Sequence, residues 1–218
     1  MTQRFKLLVF DWDGTLMDSQ GRIVTSFQSV IAEMGIEERP YAEIRNIIGL
    51  GLDKAIATLY PTLNAAERIQ FANHYRTHFL DVNQLDTPLF PGVSETMHHL
   101  HEIGYHLAVA TGKSRMGLNR SMRESKLEHL FCSTRCAEET YSKPDPLMLN
   151  EIMQEVAISP NETVMIGDTE YDLAMANNAK VASIGVNYGV HEESRLLACH
   201  PLTCLSDLTH LPQFLQQL

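Results

Sequence analysis

The sequence has no apolar run long enough to cross a bilayer and few of the residues that mark unusual protein classes. Among 218 residues there are only 12 glycines, 9 prolines and 4 cysteines. These low counts exclude collagen-like, low-complexity and disulfide-scaffold chains. A membrane-spanning helix needs about 20 consecutive apolar residues, whereas the first apolar stretch, Leu7 to Phe10, already ends at Asp11. The sequence therefore predicts a cytoplasmic protein without a signal peptide or membrane contact.

Positive charge is also scarce. The chain has 17 lysines and arginines against 27 acidic residues, a formal net charge of −10, and no dense basic stripe offsets it. Nucleic acids and anionic membranes are therefore unsuitable partners, and no obligate protein partner is evident. Any phosphate-bearing ligand has to be attracted by groups within its own site.

Short apolar runs alternate with helical patterns along most of the chain. The runs are Leu7–Phe10, Leu107–Ala110, Phe131–Ala137, Thr163–Ile166 and Val181–Val186, with a weaker sixth at Leu202–Leu205. Several are unbroken, which is typical of parallel strands covered by helices on both faces. The alternation predicts an α/β fold, a doubly wound, Rossmann-like parallel sheet.

Residues 18–82 follow a different pattern. Apolar residues at Ile23, Phe27, Val30 and Met34 have helical spacing, and no clear strand interrupts the segment. The turn-rich stretch Thr87-Pro-Leu-Phe-Pro-Gly92 then leads back to the alternating pattern. We expect an all-helical domain, residues 18–82, inserted into a core formed by residues 1–17 and 83–218.

Two carboxylates follow the first apolar run, in the string Phe10-Asp-Trp-Asp-Gly-Thr15. In open parallel sheets, ligands bind beyond the carboxyl ends of the strands. Asp11 and Asp13 point to the same side of an extended chain, where their charges repel unless a cation or a shared proton lies between them. The pair therefore indicates a hard divalent cation.

Further polar groups follow the later runs. Thr111 and Gly112 offer a hydroxyl and a backbone N–H, and Lys143 precedes Pro144. Asp168 and Asp172 are four residues apart, so they share one face if a helix begins there. Taken singly, each has an ordinary explanation as a helix cap, a surface lysine or a first-turn acid.

In this order, the motifs Asp-x-Asp-Gly-Thr, strand–Thr, Lys-Pro and Gly-Asp-x-x-x-Asp resemble those of the haloacid dehalogenase superfamily, in particular its phosphatases similar to phosphoglycolate phosphatase. The resemblance extends from about Lys6 to Leu205 and includes an insert where that subfamily carries a cap domain. It implies a mobile helical cap that closes over the strand ends, and an enzyme that hydrolyses a small phosphorylated metabolite.

The resemblance also implies a role for each motif residue. Asp11 attacks phosphorus to give an aspartyl phosphate, and Asp13 acts as general acid and then as general base. Thr111 and Gly112 hold the transferring oxygens, and Lys143 adds positive charge. Mg²⁺ is bound by Asp11, the backbone carbonyl of Asp13, and Asp168. Asp172 orients Lys143 or a metal-bound water.

Other functions remain open at this point. A dehalogenase of the same superfamily needs neither a metal nor Asp13 as an acid. A phosphosugar mutase uses the same aspartyl phosphate and cannot be separated by sequence. A phosphorylated switch module would not need a helical insert of about 65 residues. Within the insert, Arg45 is a candidate to bind a second anionic group of the substrate, with a solvent-exposed surface arginine as the ordinary alternative.

Overall fold

The computed structural model describes residues 4–218, and six β-strands form its centre. The strands are β1 (Leu7–Phe10), β2 (His106–Thr111), β3 (Phe131–Cys136), β4 (Thr163–Gly167), β5 (Ala182–Val186) and β6 (Cys204–Leu205). They form one parallel sheet in the order β3-β2-β1-β4-β5-β6. This arrangement confirms the predicted doubly wound α/β fold.

Ten α-helices accompany the strands in the described part of the chain. They are α1 (Gln20–Met34), α2 (Tyr41–Asn46), α3 (Leu52–Leu59), α4 (Ala65–Thr77), α5 (Val93–Glu102), α6 (Arg115–Glu124), α7 (Leu147–Val156), α8 (Glu170–Asn178), α9 (Glu193–Leu197) and α10 (Leu211–Gln216). A π-helical turn, His78–Val82, continues α4. None of these helices is long and apolar enough to span a membrane.

Both faces of the sheet are buried. Along β1, Leu8 and Phe10 join one hydrophobic cluster, whereas Leu7 and Val9 join another on the opposite face. Successive side chains of a strand point to opposite faces, so a strand buried on both sides needs an unbroken apolar run. The composition of β1 therefore follows from its central position in the sheet.

Helices α1 to α4 lie within the predicted insert and have a hydrophobic cluster of their own. Its large members include Phe27, Ile44, Ile56 and Phe71, and the rings of Phe27 and Phe71 lie 5.4 Å apart. Outside the insert, the buried residue contributed to this cluster is Val190. We refer to α1–α4 with the π-helical turn as the cap, and to the sheet with its flanking helices as the core.

The topology brings separate parts of the sequence to one edge of the sheet. β1 ends immediately before Asp11, β2 ends at Thr111, and β4 ends immediately before Asp168. Because β2, β1 and β4 are parallel neighbours, these three ends lie side by side. Residues up to 157 positions apart in the sequence therefore meet at this edge.

Candidate active site

Asp11 lies at the centre of this edge and is almost completely buried. Its backbone N–H donates to the carbonyl of Ile166 (2.9 Å), which extends the pairing with β4 by one residue. Its Oδ1 accepts a hydrogen bond from Lys143 Nζ (2.7 Å), whereas its Oδ2 is buried without a hydrogen-bond partner among the described residues. One oxygen of Asp11 is thus held in place and the other is free to react or to bind a cation.

Lys143 lies between two carboxylates. Its Nζ is 2.6 Å from Asp172 Oδ1 as well as 2.7 Å from Asp11. The other oxygen of Asp172 accepts hydrogen bonds from the backbone N–H and hydroxyl of Thr169, which caps the N-terminus of α8. The helix start therefore fixes Asp172, and Asp172 helps to fix the lysine.

Asp168 accepts hydrogen bonds at both oxygens. The hydroxyl of Thr15 donates to Oδ1 (2.7 Å) and the backbone N–H of Val190 donates to Oδ2 (2.8 Å). Gly14 passes so close that a Cβ there would lie 2.3 Å from Asp168 Oδ2, and its φ of +93° also disfavours any residue with a side chain. The Asp-Gly-Thr part of the first motif thus builds a close-fitting support for Asp168.

Three buried carboxylates here face one ammonium group. Oxygens of Asp11, Asp168 and Asp172 lie within 4.8 Å of one another, and Lys143 supplies a single positive charge among them. Buried charges are costly unless they are paired, so the cluster is two positive charges short of balance. A hard divalent cation such as Mg²⁺ prefers oxygen ligands, so the unpartnered Asp11 Oδ2 and the charge deficit both fit such an ion.

The pKa values of Asp11, Asp168 and Lys143 reflect this excess of buried negative charge. Burial raises the pKa of Asp11 well above its usual range, against the lowering effect of Lys143. Burial also raises the pKa of Asp168, to about 7, and the charge of Asp172 adds to the rise. Burial alone would lower the pKa of Lys143, but the two adjacent carboxylates outweigh it and raise that pKa.

Asp13 turns its side chain away from this cluster. Its Oδ1 accepts hydrogen bonds from the hydroxyl of Ser19 (2.6 Å) and from Lys113 Nζ (2.8 Å). The Lys113 side chain is 8% exposed, and its Nζ also lies 4.6 Å from the ring centre of Phe79 in the cap. Lys113 directly follows Gly112 in the sequence, but its contact with Asp13 could not be predicted because it depends on how β1 and β2 pair.

Thr111 and Gly112 lie where the cap meets the core. Thr111 is buried, and a Cβ on Gly112 would lie 2.5 Å from the backbone carbonyl oxygen of Leu50 in the cap. Asp11, Asp13, Thr111 and Gly112 line a cavity of about 60 Å³, and cap residues including Phe27 and Ile48 form its other side. The structure therefore brings together the motif residues Asp11, Asp13, Thr111, Gly112, Lys143, Asp168 and Asp172.

Arg45 lies outside the cavity that Asp11 and Asp13 line. Its guanidinium donates to Gln20 Oε1 (2.8 Å) and to the backbone carbonyl of Gly189 in the core (2.8 Å). It lines a separate cavity next to Glu192 and does not line the cavity of Asp11 and Asp13. Its binding of a second substrate anion stays an untested prediction, whereas its contact between cap and core is direct.

Asn46, the residue after Arg45, makes a second contact between the cap and the core. The backbone carbonyl of Asn46 accepts from the hydroxyl of Tyr171 (3.0 Å) and is 3.2 Å from His191 Nε2. The His191 Nδ1 accepts from the backbone N–H of Glu170, so Nε2 is the nitrogen that donates. Burial lowers the pKa of His191, which favours this neutral form.

Comparison with known proteins agrees with the geometry. The model of the haloacid dehalogenase-like hydrolase family matches residues 8–186, and the chain belongs to this family. It is 28% identical to a phosphoglycolate phosphatase from Vibrio vulnificus, over 91% of each chain. It is also 30% identical to a 5′-nucleotidase from Pseudomonas aeruginosa, over 98% of this chain and 96% of that one. The resemblance noted in the sequence is thus confirmed.

The fold has close counterparts among solved structures. A hydrolase from Pseudomonas syringae superposes with a TM-score of 0.89 at 20% identity, covering 98% of this chain and 99% of its own. At that identity the match concerns the fold only. The match extends over nearly the whole chain, so the described cap and core both belong to the shared architecture.

Proposed function

We propose that this protein is a Mg²⁺-dependent phosphatase that hydrolyses a small phosphorylated metabolite through an aspartyl-phosphate intermediate. The observation that carries the proposal is Asp11, which is buried at the strand edge with one oxygen held by Lys143 and the other without a partner. A structural aspartate would normally have both oxygens satisfied. The names of the relatives, phosphoglycolate phosphatase and 5′-nucleotidase, both describe phosphate monoester hydrolysis.

In the first step, a carboxylate oxygen of Asp11 attacks phosphorus. An oxygen–phosphorus bond to Asp11 forms while the bond to the alcohol oxygen breaks, and Asp13 gives its proton to that leaving oxygen. Thr111 and the Gly112 N–H hold the transferring oxygens, and Lys143 offsets their charge. Lys113 and Ser19 hold the Asp13 carboxylate in position.

In the second step, a water molecule replaces the alcohol. Asp13, now a carboxylate, takes a proton from the water, whose oxygen attacks phosphorus and displaces Asp11. Inorganic phosphate leaves, and both aspartates return to their starting states. The same residue can serve as acid and then base because the leaving and entering oxygens occupy one side of the phosphoryl group.

Asp11, Asp168 and the backbone carbonyl of Asp13 would hold the Mg²⁺ ion, with Asp172 beside them. When bound, the ion supplies positive charge that keeps Asp11 ionised and offsets the negative charge of the phosphoryl oxygens. The side chain of Asp13 is directed to Lys113 and Ser19. Its backbone carbonyl oxygen is therefore the atom of Asp13 that would contact the ion.

Two alternatives use the same residues. A phosphosugar mutase would transfer the phosphoryl group from Asp11 to a second hydroxyl of a sugar, and a phosphorylated switch would retain it. Retention is disfavoured because Asp13, next to the cavity, is suited to activate water. Product analysis separates the mutase, since only a phosphatase releases inorganic phosphate in proportion to the substrate consumed.

The test is hydrolysis of p-nitrophenyl phosphate with Mg²⁺, with EDTA, and by Asp11→Asn. The proposal expects activity that needs Mg²⁺ and is lost in the variant while the circular dichroism spectrum is unchanged. Undiminished turnover in excess EDTA would rule out the metal. Substantial activity of Asp11→Asn, with no deamidation by mass spectrometry, would rule out the aspartyl phosphate.

A further inference from the structure

A second and larger cavity adjoins the catalytic one. It has a volume of about 290 Å³, against about 60 Å³ for the cavity of Asp11 and Asp13. The two share Leu52, Gly112 and Lys113 in their linings, so Lys113 lies at the boundary between them. A group attached to a phosphate at Asp11 can therefore extend into the larger cavity.

The size of this cavity argues against a very small leaving group. The two-carbon tail of phosphoglycolate would leave most of the space unfilled, whereas cavities of about 300 Å³ and above are those that enclose whole ring-containing ligands. The volume therefore favours a substrate with a larger organic group.

The cavity wall is largely aromatic. Tyr75 and Phe79 come from the cap, with ring centres 5.7 Å apart, and Tyr141 comes from the core. Burial and the nearby Asp13 charge both raise the pKa of Tyr75, so its hydroxyl stays protonated and can donate a hydrogen bond. Tyr141 is 66% exposed and has no ring contact among the described residues, so a face of its ring is open for stacking.

The charged groups on the lining of the larger cavity are close to balanced. Lys54, Arg76 and Lys113 line the cavity together with two acids, Asp53 and Glu138. Both acids already accept hydrogen bonds, Asp53 from the side chain of Arg68 and Glu138 from the backbone N–H of Arg115. Lys113 is itself paired with Asp13 (2.8 Å), so the lining carries little net charge, which suits an uncharged organic group.

We infer that the larger cavity holds the organic group of the substrate, and that this group carries a flat aromatic ring, as in a nucleoside 5′-monophosphate. The phosphate lies at Asp11, the linking carbon and sugar pass Lys113 and Leu52, and the ring stacks on Tyr141 at the rim. This inference rests on the proposed function, because it assigns the substrate class of the same reaction.

The test measures kcat/KM with Mg²⁺ for four phosphate esters. Adenosine 5′-monophosphate and uridine 5′-monophosphate carry a ring, whereas phosphoglycolate and glycerol 3-phosphate do not. We expect the two nucleotides to exceed the two small esters by about tenfold or more, the size of one base–aromatic stacking contact. Equal values, or a preference for the small esters, would overturn the inference.

Variants of Tyr141, at the rim of the larger cavity, test the stacking contact separately. Tyr141→Ala should lower kcat/KM for the nucleotides about tenfold more than for phosphoglycolate, and Tyr141→Phe should restore most of the difference because the ring returns. Tyr41→Ala is the matched control, since Tyr41 is also exposed but lines neither cavity. An equal loss on all four esters in Tyr141→Ala would overturn the stacking role.

The four esters distinguish a failure of the substrate inference from a failure of the proposed phosphatase function. If none of the four esters and no aryl phosphate is hydrolysed with Mg²⁺, the proposed function fails, and the inference fails with it. If phosphoglycolate is hydrolysed as well as the nucleotides, the proposed function stands and only the inference about the substrate fails.

Discussion

Two aspartates only two residues apart have opposite surroundings. Asp11 is enclosed by Lys143, Asp168 and Asp172, and its Oδ2 lacks a partner. Asp13 instead accepts hydrogen bonds from Ser19 and Lys113 beside the cap. One position suits a nucleophile beside a cation, and the other suits a group that exchanges protons with a leaving alcohol and with water.

Asp13→Asn tests this division at the level of one residue. The amide keeps the shape but cannot transfer the proton, so turnover should fall about 10²–10⁴-fold. Because attack by Asp11 on an aryl phosphate needs little help from an acid, the phosphorylated enzyme should accumulate with p-nitrophenyl phosphate. Rapid mixing with acid quench measures it, and unchanged steady-state turnover would contradict the role of Asp13.

Lys143→Met tests the balance of the buried charges. The substitution leaves Asp11 and Asp172 without their shared cation, and breaking a buried ion pair typically costs about 3–5 kcal/mol of unfolding free energy. Urea unfolding measures the loss. Added Mg²⁺ should recover part of it, because the ion supplies charge to the same carboxylates, and a variant as stable as the parent without Mg²⁺ would contradict the account.

At the level of elements, the site depends on a close approach between the cap and the end of β2. The carbonyl oxygens of Gly49 and Leu50 lie next to Gly112, where a Cβ would lie 2.7 and 2.5 Å from them. Arg45 and Asn46 make further hydrogen bonds from the cap to the core. The position of the cap is thus fixed by backbone contacts as well as by side chains.

Gly112→Ala tests this approach. The added methyl group should push the cap away and lower kcat/KM by about 10²-fold, since displacement of catalytic groups by about 1 Å can cost that much. Gly21→Ala is the matched control, because a Cβ there meets nothing within 4 Å. Its kcat/KM should equal that of the parent, and an equal loss in both variants would contradict the argument.

The sequence predicted the core better than the contacts between cap and core. Unbroken apolar runs located β1 and β4 to within one residue at each end, because burial on both faces leaves no polar positions. β2 begins one residue earlier than predicted, at the exposed His106, and β6 is only two residues long. A polar first residue gives no apolar signal, and the sixth predicted run, Leu202–Leu205, is two residues longer than β6.

The motif residues were predictable because each follows a strand in a parallel sheet, so topology alone brings them together. Tyr75 and Phe79 were not, since their positions depend on how the cap docks and on the π-helical turn that follows α4. The contact of Lys113 with Asp13 was not predictable either, because it depends on how β1 and β2 pair. Arg45 illustrates the same limit. It was predicted to bind a second anionic group of the substrate, whereas its side chain contacts Gln20 and Gly189.

At the level of the whole molecule, the catalytic edge carries local positive charge in an acidic chain. The chain carries a net charge of −10, yet Lys113 and Lys143 both lie at the catalytic edge. Because the buried carboxylates are short of positive charge, we expect the folded state to bind a cation better than the unfolded chain does. Metal binding and stability should therefore be linked.

Thermal unfolding with and without Mg²⁺ measures this linkage. At a Mg²⁺ concentration about 100 times Kd, the gain should be about 2.7 kcal/mol, or a rise of roughly 5–10 °C in Tm for a chain of this size. Asp168→Asn should reduce the rise, because it removes one charge from the cluster. An equal rise in the variant, or none in the parent, would contradict metal binding by this cluster.

The central claim is that Asp11 becomes phosphorylated during turnover, and trapping of the intermediate tests it most directly. The protein is mixed with substrate and Mg²⁺, quenched in acid within milliseconds, treated with borohydride and digested for mass spectrometry. Borohydride reduces an aspartyl phosphate to homoserine, so the account predicts homoserine at position 11 in the parent and none in Asp11→Asn. Rapid turnover with unmodified Asp11, or with the modification at another residue, would contradict it.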